Sequence, residues 1–214
     1  MSKIRLLYLV VPLFLLVSCQ TSIPIAVQKD KLVKPASPVN TNLTLLSKAK
    51  DMRSQDRNQV GRHTITVLMI PGFRVMSGQE DLEEAIVNRT METLASLGFK
   101  VKLVDKLEQS KEPVLVIQID SLKNYLFSWL YPIGITWGKM ELSLHLMSPD
   151  AGELWKANLA GGGGIMPSLF YMSGFTTRVK DDLTKNMNQL IEVVSSKEFT
   201  EHLQKAQADS NRDK

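Results

Sequence analysis

Between Lys139 and Ala160 polar and apolar residues alternate, and this alternation constrains the fold more than any other feature of the chain. Met140, Leu142, Leu144 and Leu146 fall on one side of an extended strand, with Lys139, Glu141, Ser143 and His145 on the other. Pro149-Asp150-Ala151-Gly152 supplies a turn, and Glu153 to Leu159 returns with Trp155, Ala157 and Leu159 on one side. A hairpin of this kind is wet on one face and must be covered on the other. The chain also encodes a cover. From Thr177 to Ser195, the residues Val179, Leu183, Met187, Leu190, Ile191 and Val194 lie within about 120° of a helix circumference.

The remaining pattern fits around this pair. His63 to Ile70 reads as a strand closed by Pro71-Gly72, and a helix is predicted from 79 to 97, with Leu82, Ile86, Leu94 and Leu97 on one face and Gly98 as its stop. Phe99 to Val104 and Val114 to Ile119 read as two further strands. The order β-α-β-β-β-β-α predicts an α+β fold: a two-layer sandwich, with a mixed sheet of about five strands and two helices on one face. A single domain is predicted over 61–203, and the polar residues 204–214 read as a tail.

The N-terminus is of another kind. A basic start containing Lys3 and Arg5 precedes an apolar run from Leu6 to Val17. About twelve residues make roughly 18 Å of helix, short of the ~20 residues that span a bilayer, so 1–18 reads as a secretory signal. The run ends in Leu16-Val17-Ser18-Cys19, which resembles the bacterial lipobox. The resemblance implies acylation of Cys19, loss of the signal and attachment to a membrane. Gln20 stands where, in the sorting rule of such lipoproteins, an aspartate retains the protein at the inner membrane. The resemblance therefore implies the periplasmic face of the outer membrane, or the cell membrane in an organism with only one.

Residues 19–60 read as a lipidated flexible tether. Pro24, Pro35 and Pro38 stand among small polar residues, Leu43, Leu45 and Leu46 offer a short helix at most, and Lys48 to Gln59 is strongly polar. Cys19 is the sole cysteine, which excludes a disulfide within the chain, a CxxC redox site and a cysteine-rich zinc site. The net charge of +4 weakens when Lys3 and Arg5 leave with the signal, and no basic run suggests nucleic acid.

Catalytic patterns are not found. His63, His145 and His202 sit on different predicted elements without metal-ligand spacing, and His145 falls on the wet face of the hairpin. Ser173-Gly174 lacks the first glycine of a nucleophile elbow. The run Gly161 to Gly164 has no following Lys-Ser or Lys-Thr, so a loop or bulged strand end is expected rather than a phosphate cradle. Glu80, Asp81, Glu83 and Glu84 suit a helix N-terminus, and Asp120 has no partner in sequence. No enzyme, cofactor or metal is expected.

One segment stands apart. Tyr125, Phe127, Trp129, Tyr131 and Trp137 are five aromatic residues within thirteen positions, accompanied by Leu126, Leu130, Ile133 and Ile135. A second apolar stretch, from Ile165 to Phe175, follows the glycines. Both lie at the open end of the hairpin, where they are either core or a surface for a partner or the lipid interface. Phe127, Trp129, Tyr131, Trp137, Phe170 and Tyr171 are the candidate interface residues.

The lipobox, the polar tether, a helix ending in Leu97-Gly98-Phe99, a hairpin carrying Gly152-Glu153-Leu154-Trp155 and an amphipathic C-terminal helix together resemble small periplasm-facing outer-membrane lipoproteins. The YajG-like lipoproteins are one such group, within a broader set with folds like the TolB N-terminal domain or the curli-secretion lipoprotein. The resemblance implies a non-enzymatic binding or structural subunit of an envelope assembly or transport complex, with an envelope protein or a second copy as partner. The alternatives are a carrier of lipid or another hydrophobic ligand, and an enzyme acting on peptidoglycan or lipid.

Overall fold

The computed structural model describes residues 21–33, 40–65, 70–130, 133–150, 152–169 and 171–212. In chain order the elements are β1 (Thr21–Ile23), β2 (Asn42–Leu46), β3 (Lys50–Asp51), β4 (Gln59–Ile65), β5 (Ile70–Ser77), α1 (Leu82–Ser96), β6 (Lys100–Val104), β7 (Val114–Leu130), β8 (Ile133–Met147), β9 (Glu153–Leu169), α2 (Tyr171–Val194) and α3 (Lys197–Arg212). The nine strands form one mixed sheet. The α+β class stands, but the sheet is larger than about five strands and carries a third helix.

The 17-residue β7 is the spine. Along one edge it pairs antiparallel with β8, which pairs antiparallel with β9. Along the other edge three strands meet it in turn, all parallel: β2 at Val114 and Leu115, β3 at Gln118 and Ile119, and β4 at Asn124 to Ser128. Beyond β4 lie β5, antiparallel to it, and then β1, parallel to β5. One hydrophobic core joins Leu115, Ile117, Ile119, Leu142, Leu144 and Leu159 of the sheet to Ile86 and Leu94 of α1, Val179, Leu183 and Leu190 of α2, and Phe199 of α3. The stripe expected of the last long helix is therefore its buried face, although the helix begins earlier than expected, at Tyr171. The acidic cluster behaves as its position suggests: Asp81 is the N-cap of α1, and its carboxylate accepts from the Glu83 amide at 2.9 Å.

Three segments depart from the sequence expectation. Residues 21–33 and 40–60, read as tether, are built into the domain. Leu43 and Leu45 of β2 are fully buried, and Ile23 and Ile25 join the same core. Their polar neighbours find distant partners. Buried Arg53 grips Asp51 through two hydrogen bonds of 2.8 and 2.7 Å and also donates to the carbonyls of Gln59 and Arg57. The Gln28 side chain donates to Asp181, and the Val33 amide donates to Asn188, both on α2. The tail is the second departure: α3 runs from 197 to 212 and buries Phe199 and Leu203, one turn apart. Phe199 packs edge-on against Trp155, with ring centroids 5.0 Å apart. Pro71-Gly72, expected to close a strand, instead lies inside β5.

Candidate functional surface

The long hairpin β7–β8–β9 can be followed from its closed end, beside Pro149 and Asp150, to its open end at Leu130, Ile133 and Leu169. In the closed half the inner rows are apolar: Leu115–Leu146–Trp155, Ile117–Leu144–Ala157 and Ile119–Leu142–Leu159. The outer rows there are mostly polar, as in Gln118–Ser143–Asn158 and Val116–His145–Lys156. His145 is held on this outer face, with Nδ1 2.5 Å from a Glu153 carboxylate oxygen and Nε2 3.0 Å from the Ser143 hydroxyl.

Two irregularities then interrupt the ladder. One lies between Ile119 and Ser121 on β7, and the other falls opposite Gly138, where β9 carries Gly163 and Gly164 at φ of 96° and 82°. Such bulges bend a strand and re-aim its side chains. Beyond them the polarity of the faces changes.

Inside, the open half buries polar groups. Asn124, Ser128, Thr136 and His63 are all almost inaccessible, with His63 Nε2 2.8 Å from the Ser128 hydroxyl. Burial pushes the His63 imidazole below its ordinary range, toward the neutral form. Facing them on α2 are Arg178, Asp182 and Asn186, also fully buried. Arg178 Nε lies 3.1 and 3.2 Å from the two Asp182 oxygens, while its Nη2 donates to the carbonyls of Gly138 at 2.6 Å and Gly163 at 3.0 Å. The Asn186 amide donates to the Met140 carbonyl at 3.2 Å. The bulge frees backbone carbonyls that need donors, and α2 supplies them. Gly161 completes the contact, because any side chain there would strike the Asp182 carbonyl. Burial raises the Asp182 carboxyl to about 6 against the pull of Arg178.

Outside, the same half is apolar. Pairing places Tyr125, Trp137 and Ile165 in one row and Phe127, Ile135 and Pro167 in the next, with Ile133 at the end. Ile165 is 69% exposed and Ile133 59%. Tyr125 and Ile135 are exposed as well, and Phe127 and Trp137 are half-buried. The Tyr125 and Trp137 rings stack 5.6 Å apart at 21°. Across the sheet the first row continues through Arg62 of β4 to Arg74 of β5, both exposed, while Lys123 and Lys139 pair one row nearer the bulge.

No protein-family model matches this chain, and no curated protein matches it in sequence. Solved structures do share its fold. A Xanthomonas campestris protein of the DUF330 family superposes with a TM-score of 0.53 at 12% identity, over 82% of this chain and 94% of that one. A Helicobacter pylori homologue of a neuraminyllactose-binding hemagglutinin does so with a TM-score of 0.50 at 14% identity, over 79% and 93%. At these identities the likeness is one of fold.

The structure thus brings Phe127 and Trp137, from the expected interface, onto one exposed surface. The side chains of Trp129, Tyr131, Phe170 and Tyr171 lie outside the described residues, as does Cys19. Ile165 opens the second apolar stretch seen in the sequence, whereas the basic border carries no sequence signature of its own, because the sheet register that unites Arg62, Arg74, Lys123 and Lys139 with the aromatics joins four strands. Asp120 is exposed and accepts from the Gln118 side chain at 2.6 Å. Among the described residues no group of three or more His, Cys, Asp or Glu side chains could hold a metal ion. No described helix is long and apolar enough to cross a membrane.

Proposed function

We propose that this chain is a lipid-anchored envelope protein acting as a non-enzymatic binding or structural subunit, and that its working surface is the outer face of the open half of the sheet. The observation that carries the reading is the exposed row Tyr125–Trp137–Ile165 with Ile133 and Ile135 beside it, a contiguous apolar surface on a face opposite the helices. Large exposed apolar patches mark sites of association with proteins or membranes. The lipobox at Cys19 supports the anchored location, and the resemblance to YajG-like lipoproteins supports the accessory role at the periplasmic face of the outer membrane.

Crosslinking in native envelopes tests the reading. Ile165→Asp and Trp137→Ala are expected to remove the crosslinks formed from this face, to envelope protein or to lipid, while leaving the fold intact. Unchanged crosslinks in both variants would contradict it. The anchor is tested separately: Cys19→Ser is expected to abolish incorporation of labelled fatty acid, and incorporation at the wild-type level would refute the lipobox.

A further inference from the structure

The position of the N-terminus says which way the apolar surface faces. β1 is parallel to β5, β5 is antiparallel to β4, and β4 is parallel to β7. Traced backward, β1 therefore runs toward the open end of the hairpin. Thr21 pairs with Val75, one residue from Arg74, which stands in the row Arg74–Arg62–Tyr125–Trp137–Ile165. Cys19 is two residues upstream of Thr21, so whatever path the chain takes, the two are at most about 7 Å apart. β1 lies three strand spacings from β7, about 15 Å. An acyl group carried by Cys19 would consequently enter a membrane beside the row that carries the stacked aromatics.

The charges between the anchor and the rings fit a lipid surface. Arg74 meets Asp56 at 3.5 Å and Lys139 meets Glu141 at 2.7 Å, so these two cations are partly neutralised. Among the described residues Arg62 and Lys123 meet no carboxylate, and both are exposed. Beside them a Trp, a Tyr and three isoleucines face outward, side chains that favour the boundary between headgroups and acyl chains. The closed half of the same face, with Gln118, Lys156 and Asn158, has no such character.

We infer that the outer face of the open half rests on the bilayer beside the acyl anchor, with Arg62 and Lys123 against anionic headgroups and Trp137 and Ile165 at the acyl boundary. The inference rests on the lipoprotein reading above. It replaces a domain held off the membrane by a long tether with one held flat against it.

Because an acylated Cys19 leaves no free thiol, single cysteines can be labelled cleanly. The acylated full chain carrying Ile165→Cys or Asn158→Cys would be labelled with a nitroxide and placed in vesicles of phosphatidylethanolamine and phosphatidylglycerol. Collision with oxygen, which partitions into lipid, is compared with collision with a water-soluble nickel complex. The label at 165 is expected to be several-fold better protected from nickel than the label at 158, and Arg62→Glu with Lys123→Glu is expected to reduce that protection. Equal nickel access at the two positions on an acylated, vesicle-bound chain overturns the inference and leaves the lipoprotein reading standing. Protection at 165 that needs an added envelope protein also overturns it, by placing a protein on the face. Absence of fatty acid on Cys19 removes the lipoprotein reading, and the inference with it.

Discussion

The closed and open halves of the β7–β8–β9 hairpin are continuous strands of one sheet, yet they distribute polarity differently. The closed half buries apolar rows such as Leu115–Leu146–Trp155, with Ile117 against Leu144 beside it, and shows water Gln118, Lys156 and Asn158. The open half buries Asn124, Ser128, Arg178 and Asp182 among Leu122, Leu126 and Phe175, and shows water Tyr125, Ile133 and Ile165. The ordinary arrangement belongs to the half that only needs to fold. The other arrangement needs a buried ion pair and an α2 amide to satisfy the interior, and it leaves an apolar outer surface that stability alone does not require.

The buried pair is expected to give the largest effect. Asp182→Ala leaves Arg178 charged and unpaired beneath α2, and is expected to cost about 3–5 kcal/mol in urea unfolding. A loss below about 1 kcal/mol would mean that the inner polar layer does not hold the open half together.

The same carboxyl gives a pH test. Asp182 is raised from 3.8 to about 6 by burial. A carboxyl whose folded value lies above its unfolded one adds stability that is fully present below about pH 3.8 and is lost as the pH rises through about 6. The wild type is therefore expected to lose stability relative to Asp182→Asn between pH 4 and 7. A flat difference across that window would show that Arg178 keeps the carboxylate ionised throughout.

A smaller effect is expected outside. Trp137→Ala removes a stacked partner of Tyr125 from a half-buried position, and should cost about 1 kcal/mol. A loss of about 3 kcal/mol or more, the range of a buried aromatic, would return this ring to the core.

The contrast between the halves also explains what can be read from sequence. The closed half is legible because Met140 to Leu146 and Trp155 to Leu159 alternate without interruption, and the stripe of α2 matches them. The open half is not, because the bulge at 119–121 shifts the period of β7 and its inward positions then alternate Leu122 and Leu126 with the polar Asn124 and Ser128. The strands β1 to β3 are too short to show a period, and polar residues between them are satisfied by partners more than a hundred positions away, as Gln28 is by Asp181. In α3 only Phe199 and Leu203 announce a buried face among charged neighbours. The aromatic cluster is visible as composition, but its basic border belongs to the tertiary register.

The most direct measurement places the same substitution on the two faces of β9. Leu159, 1% exposed, belongs to the inner row of the closed half, and Ile165, 69% exposed, to the outer row of the open half. In urea unfolding, Leu159→Asp is expected to destabilise the chain by more than about 3 kcal/mol, since it buries a charge without a partner. Ile165→Asp is expected to change stability by no more than about 0.5 kcal/mol, as at an ordinary surface position. Comparable destabilisation by the two would contradict the account, because the outer apolar row would then be core rather than a surface.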